Sequence, residues 1–115
     1  MIQANELRTG NWVDVCNCLM EQVVEIYPDS ISTLTRNHIV DYMPIPLTPE
    51  ILEGAGFKNG DKRLSRQMVL AWSFGKEFWV ENNDGDTILE IKCEYLHQLQ
   101  NLYFALTGEE LNIEI

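Results

Sequence analysis

Three cysteines and two histidines are the residues of this 115-residue chain with the most versatile chemistry. Cys16 and Cys18 lie one residue apart, a spacing at which two thiolates bind one soft metal ion only if two more ligands come from elsewhere. Those ligands would have to come from Cys93, His38 or His97, each of which stands alone in the sequence. We therefore predict no metal site, and interpret the thiols as small apolar fillers or exposed side chains.

Nucleophilic catalysis would need a serine or cysteine beside a positioned base, together with a donor for the oxyanion. The chain contains no Gly-x-Ser-x-Gly, Cys-x-x-Cys or His-Glu-x-x-His pattern. His97 has Glu94 three residues before it and His38 has Asp41 three residues after it, but acids are so numerous that such neighbours arise by chance. We predict that the chain is not an enzyme and has no catalytic residues and no cofactor.

The charge of the chain limits its partners. Eighteen acidic residues against eight basic ones give a net charge of −10. Phosphate backbones and anionic membrane surfaces repel such a protein, which predicts no direct nucleic-acid partner and no membrane partner. The basic segment 58–66, KNGDKRLSR, is the exception, and we interpret it as a solvated loop that offsets acidic neighbours.

Length and composition predict one globular domain over residues 1–115. Apolar residues make up 45% of the chain, and three Trp, four Tyr and four Phe favour a packed core over disorder. The N-terminal segment MIQANELRTG has no apolar core of the kind that a signal peptide needs, and no apolar run approaches a membrane span. We therefore expect a cytoplasmic location and free thiols.

Short strands separated by turns fill the first part of the chain, residues 1–47. Turn formers and β-branched residues alternate there, which is typical of a meander that curls on itself. We predict a curled antiparallel sheet that resembles a small SH3-like barrel. Its first strand follows a turn within ELRTGNWVDV, and the next strands have the sequences MEQVVEIY, ISTLT and HIVDYM.

Residues 48–115 predict a short helix, a second β-meander and a C-terminal helix. Thr48 before Pro49 is an N-cap followed by proline at the first helical position, and glycines soon end this helix. Three strands follow, of which the last, DTILEIKC, alternates apolar and charged residues and should have one solvated face. A helix over residues 94–107 ends at Gly108, and LNIEI could return as a closing strand. The fold class is α+β with the C-terminal helix on one apolar face of the sheet. A single continuous sheet with the helix packed across it is the alternative.

The C-terminal helix has a polar face without charge. His97, Gln100 and Asn101 lie together on one side of it, where a surface helix would usually carry charged pairs. Such side chains can be buried at an interface at modest cost when their hydrogen bonds are met. We predict a partner contact surface formed by His97, Gln100, Asn101 and Tyr103. The alternative, a face buried inside the chain's own fold, stays equally open.

Three segments of the chain stand out together: ANELRTGNWV, PIPLTPEILEGAGF and YLHQLQNLYFALTGEEL. They cover 41 of the 115 residues, and the last is long enough to be specific. Together they resemble a family of small uncharacterised bacterial and phage-borne proteins. The resemblance implies a phage or mobile-element context, which favours small interaction proteins over metabolic enzymes, and it carries no catalytic residue or cofactor.

Two functions follow from these observations. The first is a non-enzymatic protein-binding module, self-associating or binding another protein through the C-terminal helix face. The alternative is an acidic decoy that imitates phosphate charge and occupies a nucleic-acid-binding protein. The decoy would need carboxylates along one face of the second meander, for example those of Glu77, Glu81, Asp84, Asp86 and Glu90.

Overall fold

The computed structural model of the chain is α+β, as the sequence predicts, with two antiparallel sheets and two helices among the residues that it describes. The described part comprises residues 7–15, 20–27, 30–33, 35–36, 39, 42–58, 61–64, 68–72, 77–82 and 84–114. Neither sheet closes on itself within that part, so an SH3-like barrel stays a prediction.

The chain forms two compact units. The first contains Met1–Pro46 and Tyr95–Asn101, and the second contains Leu47–Glu94 and Leu102–Ile115. The boundary after Pro46 lies one residue before the predicted division of the chain. The C-terminal helix α2, Leu96–Thr107, supplies residues to both units, which the sequence does not predict.

The first unit contains a three-stranded sheet in the order β1-β2-β3. These strands are β1, Trp12–Asp14, β2, Met20–Ile26, and β3, Ile31–Thr33, and both pairs are antiparallel. The alternation that predicts the strands also places apolar side chains inside, because successive residues point to opposite faces. The buried core of this unit consists of Leu7, Val13, Val15, Val23, Ile31 and Tyr42.

The second unit contains a short helix followed by a four-stranded antiparallel meander in the order β4-β5-β6-β7. The helix α1 spans Pro49–Gly54. The strands are β4, Asp61–Arg63, β5, Met68–Trp72, β6, Glu77–Asn82, and β7, Thr87–Lys92. Leu70, Phe78 and Val80 are buried, and the rings of Phe57 and Phe78 meet edge to face with centroids 6.1 Å apart.

The predicted start of α1 and the predicted end of α2 are confirmed, whereas α2 begins at Leu96, two residues after its predicted start. The Thr48 hydroxyl accepts a hydrogen bond from the Ile51 N–H at 3.2 Å, and Pro49 occupies the first turn of α1. Gly108 follows α2 with φ of 75°, the left-handed conformation that a glycine adopts without steric cost. These signals are local, since each cap satisfies backbone groups within one helical turn.

Two segments differ from the prediction. The basic segment 58–66 contains β4, which pairs with β5 in antiparallel register. Lys58 and Asp61, at the start of this segment, exchange two backbone hydrogen bonds at 2.8 and 3.0 Å. The final segment LNIEI contains no strand among its described residues 111–114. There the Glu114 N–H donates to the Gly54 carbonyl at 2.9 Å, so this backbone bonds to the end of α1.

Acid should weaken the contact between β2 and β3. The hydroxyls of Thr33 and Thr35 both donate to the Glu21 carboxylate, Thr35 at 2.6 Å. These hydrogen bonds lower the pKa of Glu21, with Thr33 contributing more than Thr35. A carboxyl whose pKa is lower in the folded chain stabilises the fold above its unfolded pKa of about 4.3, and this contribution disappears as the pH falls. We expect Glu21→Gln to destabilise the chain at pH 7 and to have less effect in acid. Urea denaturation at both pH values measures this, and an equal effect at both would contradict it.

Candidate functional site

The helix face that the sequence predicts as a partner contact surface is largely interior. His97 and Gln100 are 2% and 1% exposed, whereas Asn101 and Tyr103 are half-buried. The His97 ring stacks on the Tyr95 ring in the first unit, with centroids 6.1 Å apart and planes 10° from parallel.

The Gln100 side chain bridges two backbone groups of the first unit. Its Oε1 accepts a hydrogen bond from the Trp12 N–H at 2.8 Å, and its Nε2 donates to the Gly10 carbonyl at 3.0 Å. Gly10 adopts φ of 93° in a turn that the Asn11 N–H closes by donating to the Arg8 carbonyl at 3.1 Å. A neutral amide carries both a donor and an acceptor, so it meets both backbone groups where a carboxylate or an ammonium would meet one.

Asn101 binds the side chains of the same turn. Its Oδ1 accepts from Arg8 Nε at 2.9 Å and from Asn11 Nδ2 at 3.0 Å. Arg8 Nη2 also donates to the Gln100 carbonyl at 3.2 Å. We call this set the amide network; its members are Arg8, Gly10, Asn11, Trp12, Gln100 and Asn101.

The amide network gives a structural reason for the uncharged face of α2. Burial of a lysine or glutamate there would cost the desolvation of a charge, whereas paired amides cost little. Of the two alternatives that the sequence leaves open, these hydrogen bonds favour the face inside the fold for Gln100 and Asn101. The partner role of His97, Gln100, Asn101 and Tyr103 stays a prediction.

Tyr103 belongs to the second unit, where a lysine lies over its ring. Lys62 Nζ is 5.6 Å from the ring centroid, within the range of a cation–π interaction, and donates to the Ala55 carbonyl at 2.9 Å. This contact links β4 to the end of α1 and to α2 within the unit. The basic segment 58–66 therefore contributes a structural lysine as well as exposed charges.

Of the five cysteines and histidines of the chain, the structure describes Cys93 and His97. No group of three or more His, Cys, Asp or Glu side chains in that part of the chain could hold a metal ion. Cys93 is buried, and burial raises the pKa of its thiol to about 11, which disfavours the reactive thiolate. Cys16, Cys18 and His38 lie outside the described residues.

The carboxylates of the decoy hypothesis lie on and around β6 and β7. Glu90 is opposite Trp79 in the register, so Glu90 shares one sheet face with Glu77 and Glu81 of β6. Lys92 is directly opposite Glu77 on the same face and introduces a positive charge. The remaining two members of the set, Asp84 and Asp86, are exposed in the turn after β6, where both backbone N–H groups donate to Asn82 Oδ1.

β7 is exposed in a way that its alternating sequence does not predict. Ile88 and Leu89 are 57% and 42% exposed. Val80 is opposite Leu89 and Glu81 is opposite Thr87, so Ile88 is an extra residue that forms a bulge. β7 lies at the end of the strand order, and no backbone hydrogen bond on its side away from β6 occurs within the part of the chain that the structure describes.

A concavity of about 250 Å³ lies beside the regular half of β7, after the bulge. Its walls consist of three cross-strand pairs of β6 and β7, with charged side chains on one sheet face and Phe78 and Ile91 on the other. We call β7 with this concavity the β7 edge. The concavity is lined by Glu77, Phe78, Trp79, Glu90, Ile91 and Lys92.

Removal of the buried amide should destabilise the chain. Gln100→Ala leaves the Trp12 N–H and the Gly10 carbonyl without this partner, and we expect a loss of about 2 kcal/mol in the free energy of unfolding. Gln22→Ala is a matched control, because the exposed Gln22 Nε2 donates to the same Gly10 carbonyl at 2.9 Å and its loss should cost below ~0.5 kcal/mol. Urea denaturation of both variants measures the difference. Equal, small losses would show that the amide network contributes little.

Comparisons with known proteins supply no family for this chain. No protein-family model matches the sequence. No curated protein and no solved structure matches it either. The resemblance of the three segments therefore stays a prediction, and the function has to be argued from the geometry of the chain itself.

Proposed function

We propose that this chain is a non-enzymatic, cytoplasmic protein-binding module, and that a partner adds a strand to its sheet at the β7 edge. The observation that carries the proposal is the combination of exposed backbone and exposed apolar side chains on one terminal strand. A strand at the end of a sheet presents N–H and C=O groups that an extended segment of another protein can pair with. Exposed apolar side chains beside those groups add burial to the hydrogen bonds.

The opposite edge of the same sheet has the usual protection against such pairing. β4 is three residues long, and its sequence, Asp61-Lys62-Arg63, is charged throughout. Short length and charge are both common ways to prevent edge-to-edge association. β7 is six residues long and has three apolar residues in the sequence TILEIK, so the two edges differ in their capacity to bind.

The location of the contact revises the expectation from the sequence. The helix face would have offered side-chain amides, whereas the β7 edge offers backbone groups and apolar surface. Binding there should depend weakly on salt, because neither backbone hydrogen bonds nor apolar burial is screened as exposed charges are.

No helix in the described ranges is long and apolar enough to cross a membrane.

The acidic decoy is the second candidate, favoured by the common face of Glu77, Glu81 and Glu90. Two features of that face weaken it as a phosphate imitation: Lys92 lies opposite Glu77, and Trp79 lies opposite Glu90. Binding by a decoy would decrease steeply as salt is added, because it rests on exposed charge.

Affinity capture from a lysate of the encoding organism tests the proposal. The baits are the wild-type chain, Leu89→Lys and the control Val24→Lys, each confirmed to fold. Val24 is 52% exposed on β2, a central strand, so its replacement adds the same charge to a strand whose two edges are paired. We expect wild type and Val24→Lys to retain the same partner at physiological and at high salt, and Leu89→Lys to lose it.

Two results would contradict the proposal. A partner retained equally by Leu89→Lys would place the contact away from the β7 edge. A partner released from every bait at high salt, and lost when Glu77, Glu81 and Glu90 are replaced by Gln, would favour the acidic decoy instead.

A further inference from the structure

We propose that the strand bound at the β7 edge is β7 of a second copy of this chain, antiparallel, with Ile91 on the two-fold axis. The inference rests on the proposed function, since it names the partner of that same edge. It is argued from the symmetry of the pairing, the position of the bulge and the charges of β7.

Symmetry restricts how β7 can pair with its own copy. Antiparallel strands in one continuous sheet are related by a two-fold axis perpendicular to the sheet, which keeps every side chain on its original face. Directly opposed residues point to the same face of the sheet. The axis must therefore lie midway between the two copies of one residue, which are then directly opposite each other. The central candidates are Leu89, Glu90 and Ile91.

Two of these three registers are unfavourable. An axis at Glu90 would set two carboxylates directly opposite each other, and like charges in that position destabilise a sheet. An axis at Leu89 would require pairing across Ile88, the extra residue of the bulge, where the ladder is irregular. An axis at Ile91 uses the half of β7 after the bulge, in which each residue has a regular partner on β6.

The register centred on Ile91 is complementary in charge. It sets Glu90 of each chain directly opposite Lys92 of the other, so the axis relates two pairs of opposite charge. Lys92 already lies opposite Glu77 of its own β6. In the dimer each Lys92 side chain would therefore lie between two carboxylates on the same face of the extended sheet.

The same register covers apolar surface on the other face. Ile91 would pack against Ile91 of the second copy, and Phe78 of β6 lies directly opposite Ile91 on its other side. The concavity of about 250 Å³ is formed by the β6–β7 pairs on either side of Ile91, so side chains of the second copy would enter it at the axis.

The net charge of −10 on each chain sets the solution conditions for a test. At 0.15 M salt the screening length is about 8 Å, which reduces repulsion between distant charges. Directly opposed cross-strand residues lie about 5 Å apart and still interact. Association should therefore be measured at physiological salt, where long-range repulsion does not hide the local pairing.

Sedimentation analysis of Glu90→Lys, Lys92→Glu and an equimolar mixture tests the register directly. Both positions are exposed, so folding should be retained, which circular dichroism checks. Each variant alone opposes like charges, and we expect its dimer dissociation constant to rise about tenfold over wild type. In the mixture the introduced lysine meets the introduced glutamate and the native pair also matches, so a heterodimer should form with affinity near that of wild type.

Disulfide trapping gives a second readout. In a Cys16→Ser/Cys18→Ser background, Ile91→Cys should form a cross-linked dimer, because residues on the axis are directly opposed. Ile88→Cys is the control: its position is more exposed, yet in this register the two copies of it lie six residues apart, about 20 Å. Native Cys93 can stay, since it is buried.

The inference is overturned by a wild-type chain that stays monomeric at every concentration, or by a mixture that associates no better than its components. Faster cross-linking of Ile88→Cys than of Ile91→Cys would also overturn it. These results concern only the identity of the partner. The proposed function would fail in a different experiment, the affinity capture, if wild type and Leu89→Lys captured a partner equally.

Discussion

Buried backbone groups must find hydrogen-bond partners, and this requirement organises the chain around Gln100. The Gly10 carbonyl lies in the turn before β1 and the Trp12 N–H lies at the first residue of β1, and both bond to the Gln100 side chain of α2. An amide is the side chain that can satisfy both at once. The polar face of α2 thus has a structural purpose in the first unit, and the turn before β1 is fixed by a contact across the length of the sequence.

The same requirement directs attention to β7, where backbone groups on the outer side have no partner among the described residues. Most sheet edges are made unattractive by charge, brevity or bulges, and β4 shows the first two. β7 has a bulge at its start, but its second half is regular and lies beside a concavity. Under the proposed function, binding and stability rest on different elements, because the α2 face is occupied internally and the outer side of β7 has no backbone partner among the described residues.

Local signals account for what the sequence predicts well. The α1 cap at Thr48, the glycine after α2 and the three strands of the second meander each depend on residues within a few positions. β4 escapes prediction because its charged sequence has no apolar alternation, and its pairing with β5 depends on backbone groups.

Partners that are distant in sequence explain the remaining differences. His97, Gln100 and Asn101 can be selected from the sequence as unusual, but Gln100 and Trp12 are 88 positions apart, so the sequence does not show which surface covers them. Alternation in TILEIK correctly predicts a strand. Cover over Leu89 would have to come from residues distant in sequence, and Leu89 is 42% exposed.

Amide hydrogen exchange along β7, compared between dilute and concentrated chain, distinguishes an open strand edge from a paired one. Open edge amides exchange quickly, and pairing with a second strand slows them. We expect exchange in the second half of β7 to slow as concentration rises, while exchange in β4 and α2 does not change. Protection that is independent of concentration, or that appears along α2 around Asn101 and Tyr103, would rule out pairing at the β7 edge and return the contact to the helix face.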